Sequence, residues 1–314
     1  MAKNVLVLGG AHVDRRGRLH GPVISGASNP GHWFEEAGGG AFNVARNLAR
    51  LGHQVTMVSP RGGDTAGDSV AAAALEAGVI DRPFIFLDRK TPSYTAILSE
   101  DGNLVIALAD MDLYRLFSPR RLSVKSVRML LDAADMVVCD ANLPAETLAA
   151  IAEQTQRRGI PLAAIAITPA KVVRLRSILS HLHMLFLNQA EARALVATLG
   201  EDGADLLLAL KNAGLSGAVV TNGSGDAHGW QGADSADITP PDVDIIGDVT
   251  GAGDALAAGV VHGLLQGKRL EDSLKMGTAC AIMAVRSPLA TPPSLSPETL
   301  TASMALVADA KSPA

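Results

Sequence analysis

Short apolar runs bounded by glycine or polar residues recur along the chain, at residues 4–8, 54–58, 135–139, 161–167, 184–187 and 218–221. Between most of them apolar positions return at helical spacing, over 42–51, 66–77, 145–157, 189–199 and 203–213. Strands that are apolar throughout have both faces buried. Alternating with helices, they imply βαβ units and a largely parallel sheet with helices on either side. One segment breaks this rhythm: residues 93–99 and 104–109 flank Glu100-Asp101-Gly102-Asn103, a hairpin turn signal. With an extended stretch over 23–34 it predicts a small antiparallel layer, a lid built from about 15–37 and 88–112 on one domain spanning 1–314. An edge extension of the main sheet is the alternative. From Gly247 the chain turns Gly- and Ala-rich and then helical, over 252–265, 270–285 and after Pro297.

Composition narrows the classes. Of 314 residues, 48% are hydrophobic and 19% charged, a globular balance. Aromatics are only 3%, so the core must be Ala, Val, Leu and Ile. Net charge is −5, and the basic runs do not exceed the pairs Arg15-Arg16 and Arg120-Arg121, which argues against a nucleic-acid partner. The N-terminal apolar run stops at Gly9-Gly10, too short for a signal peptide or a membrane span. A cytoplasmic protein with no membrane partner is expected. Cys139 and Cys280 lie in apolar stretches and read as reduced, buried thiols.

The chemistry concentrates in Asp248-Val249-Thr250-Gly251-Ala252-Gly253-Asp254-Ala255, followed by an apolar helix. Glycines at 251 and 253 let the backbone turn sharply, and a helix N-terminus beyond them offers unpaired N–H groups and the positive end of its dipole to an anion. Asp254 falls in the first helical turn, so a phosphate held by the amides would lie beside a general base. An isolated G-x-G-D reads more simply as a turn and a capping acid; the eight-residue string in this setting favours phosphoryl transfer.

This string resembles the C-terminal signature of the ribokinase-like (phosphofructokinase B type) carbohydrate kinases. Their N-terminal signature is similar to Gly38-Gly39-Gly40-Ala41-Phe42-Asn43-Val44-Ala45, which opens a helix ending at Leu51-Gly52. The likeness spans nearly the whole chain. It implies a three-layer α/β/α fold with a mostly parallel central sheet and a small antiparallel β lid, ATP and Mg²⁺ as cofactors, and a small sugar or nucleoside as acceptor. By resemblance, Asp254 is the catalytic base and the amides of Gly251, Ala252 and Gly253 form the anion hole. Asp14 matches a sugar-hydroxyl ligand, and Gly39, Gly40 and Asn43 match other sugar contacts. Asn188 and Glu191 match an Asn-x-x-Glu element that organises Mg²⁺ through water. On residues alone that element is more often just a helix cap with a first-turn acid. Thr221 and Gly223, with Lys171, match the nucleotide side. Asp248 and Thr250 fall where relatives bind a monovalent cation, K⁺ by expectation. A homodimer through the lid is also implied.

Within the family the lid and its neighbours most resemble those of bacterial pseudouridine kinases: Ser28-Asn29-Pro30-Gly31, Thr91-Pro92-Ser93-Tyr94 and Asp110-Met111, continued by Cys139-Asp140-Ala141-Asn142. Asn29, Ser93 and Asn142 are therefore expected at the acceptor, although Asn-Pro-Gly and Thr-Pro are also ordinary turn chemistry. Departures fall on the nucleotide side, where Ile165-Ala166 replaces Asp-Pro and Phe186-Leu187-Asn188 replaces Lys-Pro-Asn. His181 and His183 read as structural, and Trp33 as a lid, dimer or anchoring residue. Ribokinase, adenosine kinase or ketosugar kinase activity, and non-catalytic nucleoside or nucleotide binding, remain alternatives. A nicotinamide dehydrogenase is disfavoured because Gly9-Gly10-Ala11-His12 lacks G-x-G-x-x-G spacing.

Overall fold

A computed structural model describes residues 1–200, 205–244, 247 and 249–311. Its strands are β1 (Asn4–Leu8), β2 (His12–Leu19), β3 (Gly31–Gly38), β4 (Gln54–Val58), β5 (Pro60–Gly62), β6 (Ile80–Asp81), β7 (Phe84–Phe86) and β8 (Ser93–Leu98). They continue with β9 (Leu104–Asp110), β10 (Met136–Asp140), β11 (Leu162–Ile165), β12 (Met184–Asn188), β13 (Gly217–Asn222), β14 (Gly225–Gln231) and β15 (Asp234–Ile238). The helices are α1 (Gly40–Arg50), α2 (Thr65–Glu76), α3 (Lys125–Ala133), α4 (Ala145–Arg158) and α5 (Pro169–Val172). They end with α6 (Gln189–Ala197), α7 (Leu206–Asn212), α8 (Ala252–Leu265), α9 (Leu270–Val285) and α10 (Pro297–Met304).

Nine strands form the main sheet, in the order β15-β14-β13-β12-β11-β10-β1-β4-β6. All neighbours from β6 to β13 run parallel, and β14 and β15 return antiparallel at one edge. The alternation of β1 shows why both faces are covered. Val5 and Val7 enter one core with residues of α1, α8 and α9, while Leu6 and Leu8 enter a second with residues of α3, α4 and α6. The protein is a three-layer α/β/α sandwich. Cys139 and Cys280 are free and buried, as their apolar setting predicts.

A separate four-stranded sheet, β3-β2-β8-β9, forms the lid layer. Its outer pairs are antiparallel and its central pair β2–β8 is parallel. The extended stretch expected over 23–34 is displaced: strand begins at Gly31, and the residues before it turn. The lid's first strand already starts at His12, directly after β1. Among the described residues no helix is long and apolar enough to cross a membrane.

In the main sheet the chain leaves β1 for β4 on one side, and β10 lies on the other. That is the topological switch point, where the carboxyl ends of parallel strands leave a crevice. A cavity of about 550 Å³ opens there, within the ~300–1,000 Å³ of small-molecule sites.

Candidate active site

The floor of the cavity is the mouth of α8. Gly251 precedes it with φ +80°, and a Cβ there would collide with the carbonyl oxygen of Ala290, so only glycine fits. No side chain caps this helix end. Its first amides lack helical acceptors, and Gly251 and Gly253 line the cavity. The Ala252 amide is partly engaged, donating to Val249 O at 3.3 Å.

Asp254 follows in the first turn and lines the same cavity. Its side chain is partly buried at the cavity wall, and the surrounding protein atoms push its pKa up to about 7. Asn43 Nδ2 donates to Asp254 Oδ2 at 2.7 Å and opposes that rise, whereas the charges of Asp140, Glu191 and Asp14 add to it. The result is a carboxylate poised near neutrality, as a general base requires.

Asn43 comes from α1, whose start is set by Gly39 at φ +112°. That loop is tied down by Asp140, the last residue of β10. Its fully buried carboxylate accepts from the amides of Gly10 (3.1 Å), Ala41 (3.1 Å) and Asn142 (3.0 Å), and from Asn142 Nδ2 (2.8 Å). Three segments far apart in sequence are thus fixed to one carboxylate. Asn142 Oδ1 in turn accepts from Lys171 Nζ at 2.7 Å, and burial lowers the lysine's pKa despite the nearby Asp140.

Towards the lid, Asp14 on β2 lines the cavity beside His12. His12 Nε2 lies 3.2 Å from Asp14 Oδ1, and His12 Nδ1 lies 2.8 Å from the hydroxyl of Tyr114. Tyr114 is fully buried, which raises its pKa well above the ordinary phenol, so its hydroxyl stays neutral. Tyr94 and Met111 complete the lid-side wall.

On the far side, Asn188 at the end of β12 caps α6. Its Oδ1 accepts from the Glu191 amide at 2.9 Å, and Glu191 Oε2 accepts from the Asn188 amide at 2.8 Å. Glu191 is largely buried, and burial raises its pKa against the pull of that amide. The wall continues through Phe186, Leu187, Val219, Thr221, Thr250 and Leu256. Of the apolar departures noted in the sequence, Ile165, Phe186 and Leu187 form part of this surface.

Of the residues singled out from sequence, Asp14, Gly39, Gly40, Asn43, Asn142, Lys171, Asn188, Glu191, Thr221, Thr250, Gly251, Gly253 and Asp254 converge on one cavity. Three expected residues lie outside the cavity wall. Asn29 is spent within its own exposed loop: its Oδ1 accepts from the Ile24 amide at 2.8 Å, and its Nδ2 donates to Ile24 O and Ala27 O. Ser93 lies at the start of β8, where its neighbour Tyr94 faces the cavity instead. Gly223 occupies the β13–β14 turn with φ +59°, outside the wall. Asp248 lies outside the described residues. Asp140, His12 and Ile167 belong to the site but were not singled out. Ile167 holds φ +74°, a left-handed conformation rare for a β-branched residue, and packs its Cδ1 against Gly40. His183 is structural, bonded to Gln231 at 2.7 Å.

An amide-lined helix mouth next to a carboxylate of near-neutral pKa, across from polar groups that suit sugar hydroxyls, is the equipment of phosphoryl transfer to an alcohol. Residues 2–297 match the pfkB family of carbohydrate kinases, and the chain belongs to that family. It is a carbohydrate kinase, a phosphotransferase with a hydroxyl acceptor. It is 29% identical to the pseudouridine kinase of Escherichia coli K12 over 297 residues, 93% of each chain. A solved carbohydrate kinase from Agrobacterium tumefaciens is 52% identical and superposes with a TM-score of 0.89, covering 99% of each chain. Ribokinase from Arabidopsis thaliana, solved with ribose and ATP, shares the fold at 20% identity, with a TM-score of 0.83 over 97% of this chain and 99% of that one.

Proposed function

We propose that this kinase transfers the γ-phosphoryl group of ATP to a nucleoside, pseudouridine by preference, forming the 5′-phosphate. The observation that carries the reading is Asp254, a carboxylate of raised pKa bonded to Asn43, in one cavity with Asp14 and with Gly251 and Gly253 at the uncapped helix end. Likeness to the Escherichia coli pseudouridine kinase supports the choice of acceptor. So do Tyr94 and Met111, which give a planar base an aromatic and a thioether surface near the sugar ligand Asp14.

In this reading Asp14 and Asn43 hold ribose hydroxyls, with Gly39 and Gly40 letting the sugar approach the backbone. Asp254 takes the proton of the attacking hydroxyl as the new O–P bond forms. The amides of Gly251 and Gly253 hold the charge that develops on the phosphoryl oxygens, joined by that of Ala252 once it leaves its long bond to Val249 O. Lys171, Asn188 and Thr221 line the path of the polyphosphate. Mg²⁺ fits as an ion carried by ATP, with Asn188 and Glu191 at the cavity wall to hold its waters. When bound it would neutralise phosphate charge. Glu191 keeps Oε1 outside its capping bond to hold such waters. Thr250 is the described half of the expected K⁺ site. A homodimer through the lid is in keeping with β9, which exposes Leu104, Val105, Ile106 and Leu108.

The test is ADP release from ATP against pseudouridine, uridine, adenosine, ribose and fructose. Pseudouridine should give the highest kcat/KM. A preference for ribose or fructose would overturn the acceptor, and binding without turnover would overturn the kinase reading.

A further inference from the structure

Arg46 lies on α1, one turn beyond Asn43, with only 5% of its surface exposed. It is not part of the cavity wall. Its Nη2 donates to Asn43 Oδ1 at 2.7 Å and to Ala37 O at 2.6 Å, and its guanidinium lies 4.7 Å from the centroid of the Phe42 ring. Burying a guanidinium is costly, so the contacts it makes there call for an explanation.

The explanation lies in donor and acceptor chemistry. A guanidinium has donors and no acceptor, so the Asn43 amide must turn its oxygen towards Arg46. The amide nitrogen is then forced to the other side, where it meets Asp254 Oδ2 at 2.7 Å. A flipped amide would set its oxygen against the Asp254 carboxylate. The –NH₂ group also carries a second hydrogen, and Asn43 lines the cavity.

We propose that Arg46 is a positioning residue for phosphoryl transfer: it locks the Asn43 amide in the orientation that presents N–H groups to both Asp254 and the acceptor hydroxyl. The proposal rests on Asp254 as the base. Other charged groups bear on the same pair. Asp140 from β10, Glu191 from α6 and Asp14 from β2 face Asp254. Glu36 from β3, Arg50 from α1 and Glu76 from α2 surround Arg46. A lysine at 46 keeps their charge balance and remains a pure donor; a methionine keeps only the bulk.

The experiment compares the pH dependence of kcat for the wild type, Arg46→Lys and Arg46→Met. With the amide free to flip, Arg46→Met should move the acid limb upward by about one to two pH units, the equivalent of one charge-assisted hydrogen bond. Arg46→Lys should restore most of that shift. A uniformly lower kcat with an unmoved limb in Arg46→Met would reduce Arg46 to packing and overturn the proposal. A second readout needs no Arg46 variant and no turnover. In ¹⁵N-asparagine-labelled wild type, the Asn43 side-chain signal, assigned by its loss in Asn43→Ser, should titrate between about pH 5.5 and 8.5. That titration should vanish in Asp254→Asn. A wild-type signal indifferent to pH would overturn the relay even if Arg46→Met does not fold. If no acceptor is phosphorylated while the signal titrates, the relay stands and the reading of the reaction fails.

Discussion

Turnover should weaken on the acid side of neutrality, well above the range of an ordinary carboxylate. The perturbation is pH itself, acting on Asp254. An unperturbed Asp at 3.8 is essentially fully ionised at pH 6. Asp254, pushed up to about 7 chiefly by burial, is about one-tenth ionised there. A base must be deprotonated to accept the hydroxyl proton, so activity is present above the folded pKa and falls below it. With saturating ATP and acceptor, kcat at pH 6 should be roughly one-tenth of its plateau, falling tenfold per further pH unit. The assay is ADP release in buffers of constant ionic strength. The same shift has a consequence for stability. The folded pKa is raised, so the contribution of Asp254 is fully present below 3.8 and is lost as pH rises through about 7. Asp254→Asn should therefore raise the melting temperature at pH 8 while cutting turnover by at least ~10²-fold, a trade between stability and activity. A profile flat from about pH 5.5 to 8, or a limb near 4, would refute the reasoning.

Two further predictions concern the catalytic helix. Gly251→Ala forces a Cβ against Ala290 O at φ +80° and should lower kcat by at least ~10²-fold, the scale for a lost oxyanion donor, while circular dichroism stays native; unchanged turnover would refute the amide hole. Deeper in the fold, His262 on α8 meets His53 at 2.9 Å, and burial with its neighbour's charge pushes its pKa down to about 4. The unfolded chain takes up that proton first, so thermal stability should fall as pH drops from 6.5 towards 4. His262→Gln should flatten that slope, and a parallel slope in the variant would contradict the assignment.

Much of the fold was legible because burial on both faces leaves an unmistakable apolar run: β1 and β4 coincide with residues 4–8 and 54–58. What escaped was weak in that signal. Helix α3 buries only Val127 and Leu131, too few apolar positions to stand out. Strands β14 and β15 are rich in Gly, Asp and Ser because they form an edge hairpin rather than a doubly covered strand. The glycine loop and Asp254 were legible because they are contiguous. Asp140 was not, because it acts by gathering amides from residues 10 and 41, a relation that exists only once β1, α1 and β10 are adjacent. Asn29 misled because Asn-Pro-Gly serves equally as turn chemistry, and the turn claimed it. Arg46 looks like a solvent-facing helix charge until α1 is packed against the lid strand β3.

The central claim is that the carboxylate at 254 removes a proton from a hydroxyl while neighbouring main-chain amides carry the phosphoryl charge. Rapid-quench single-turnover measurement on Asp254→Asn, with ATP and the preferred acceptor, tests it most directly. The rate of transfer should drop by at least ~10²-fold while both ligands bind with affinities close to wild type. Transfer at the wild-type rate would contradict it.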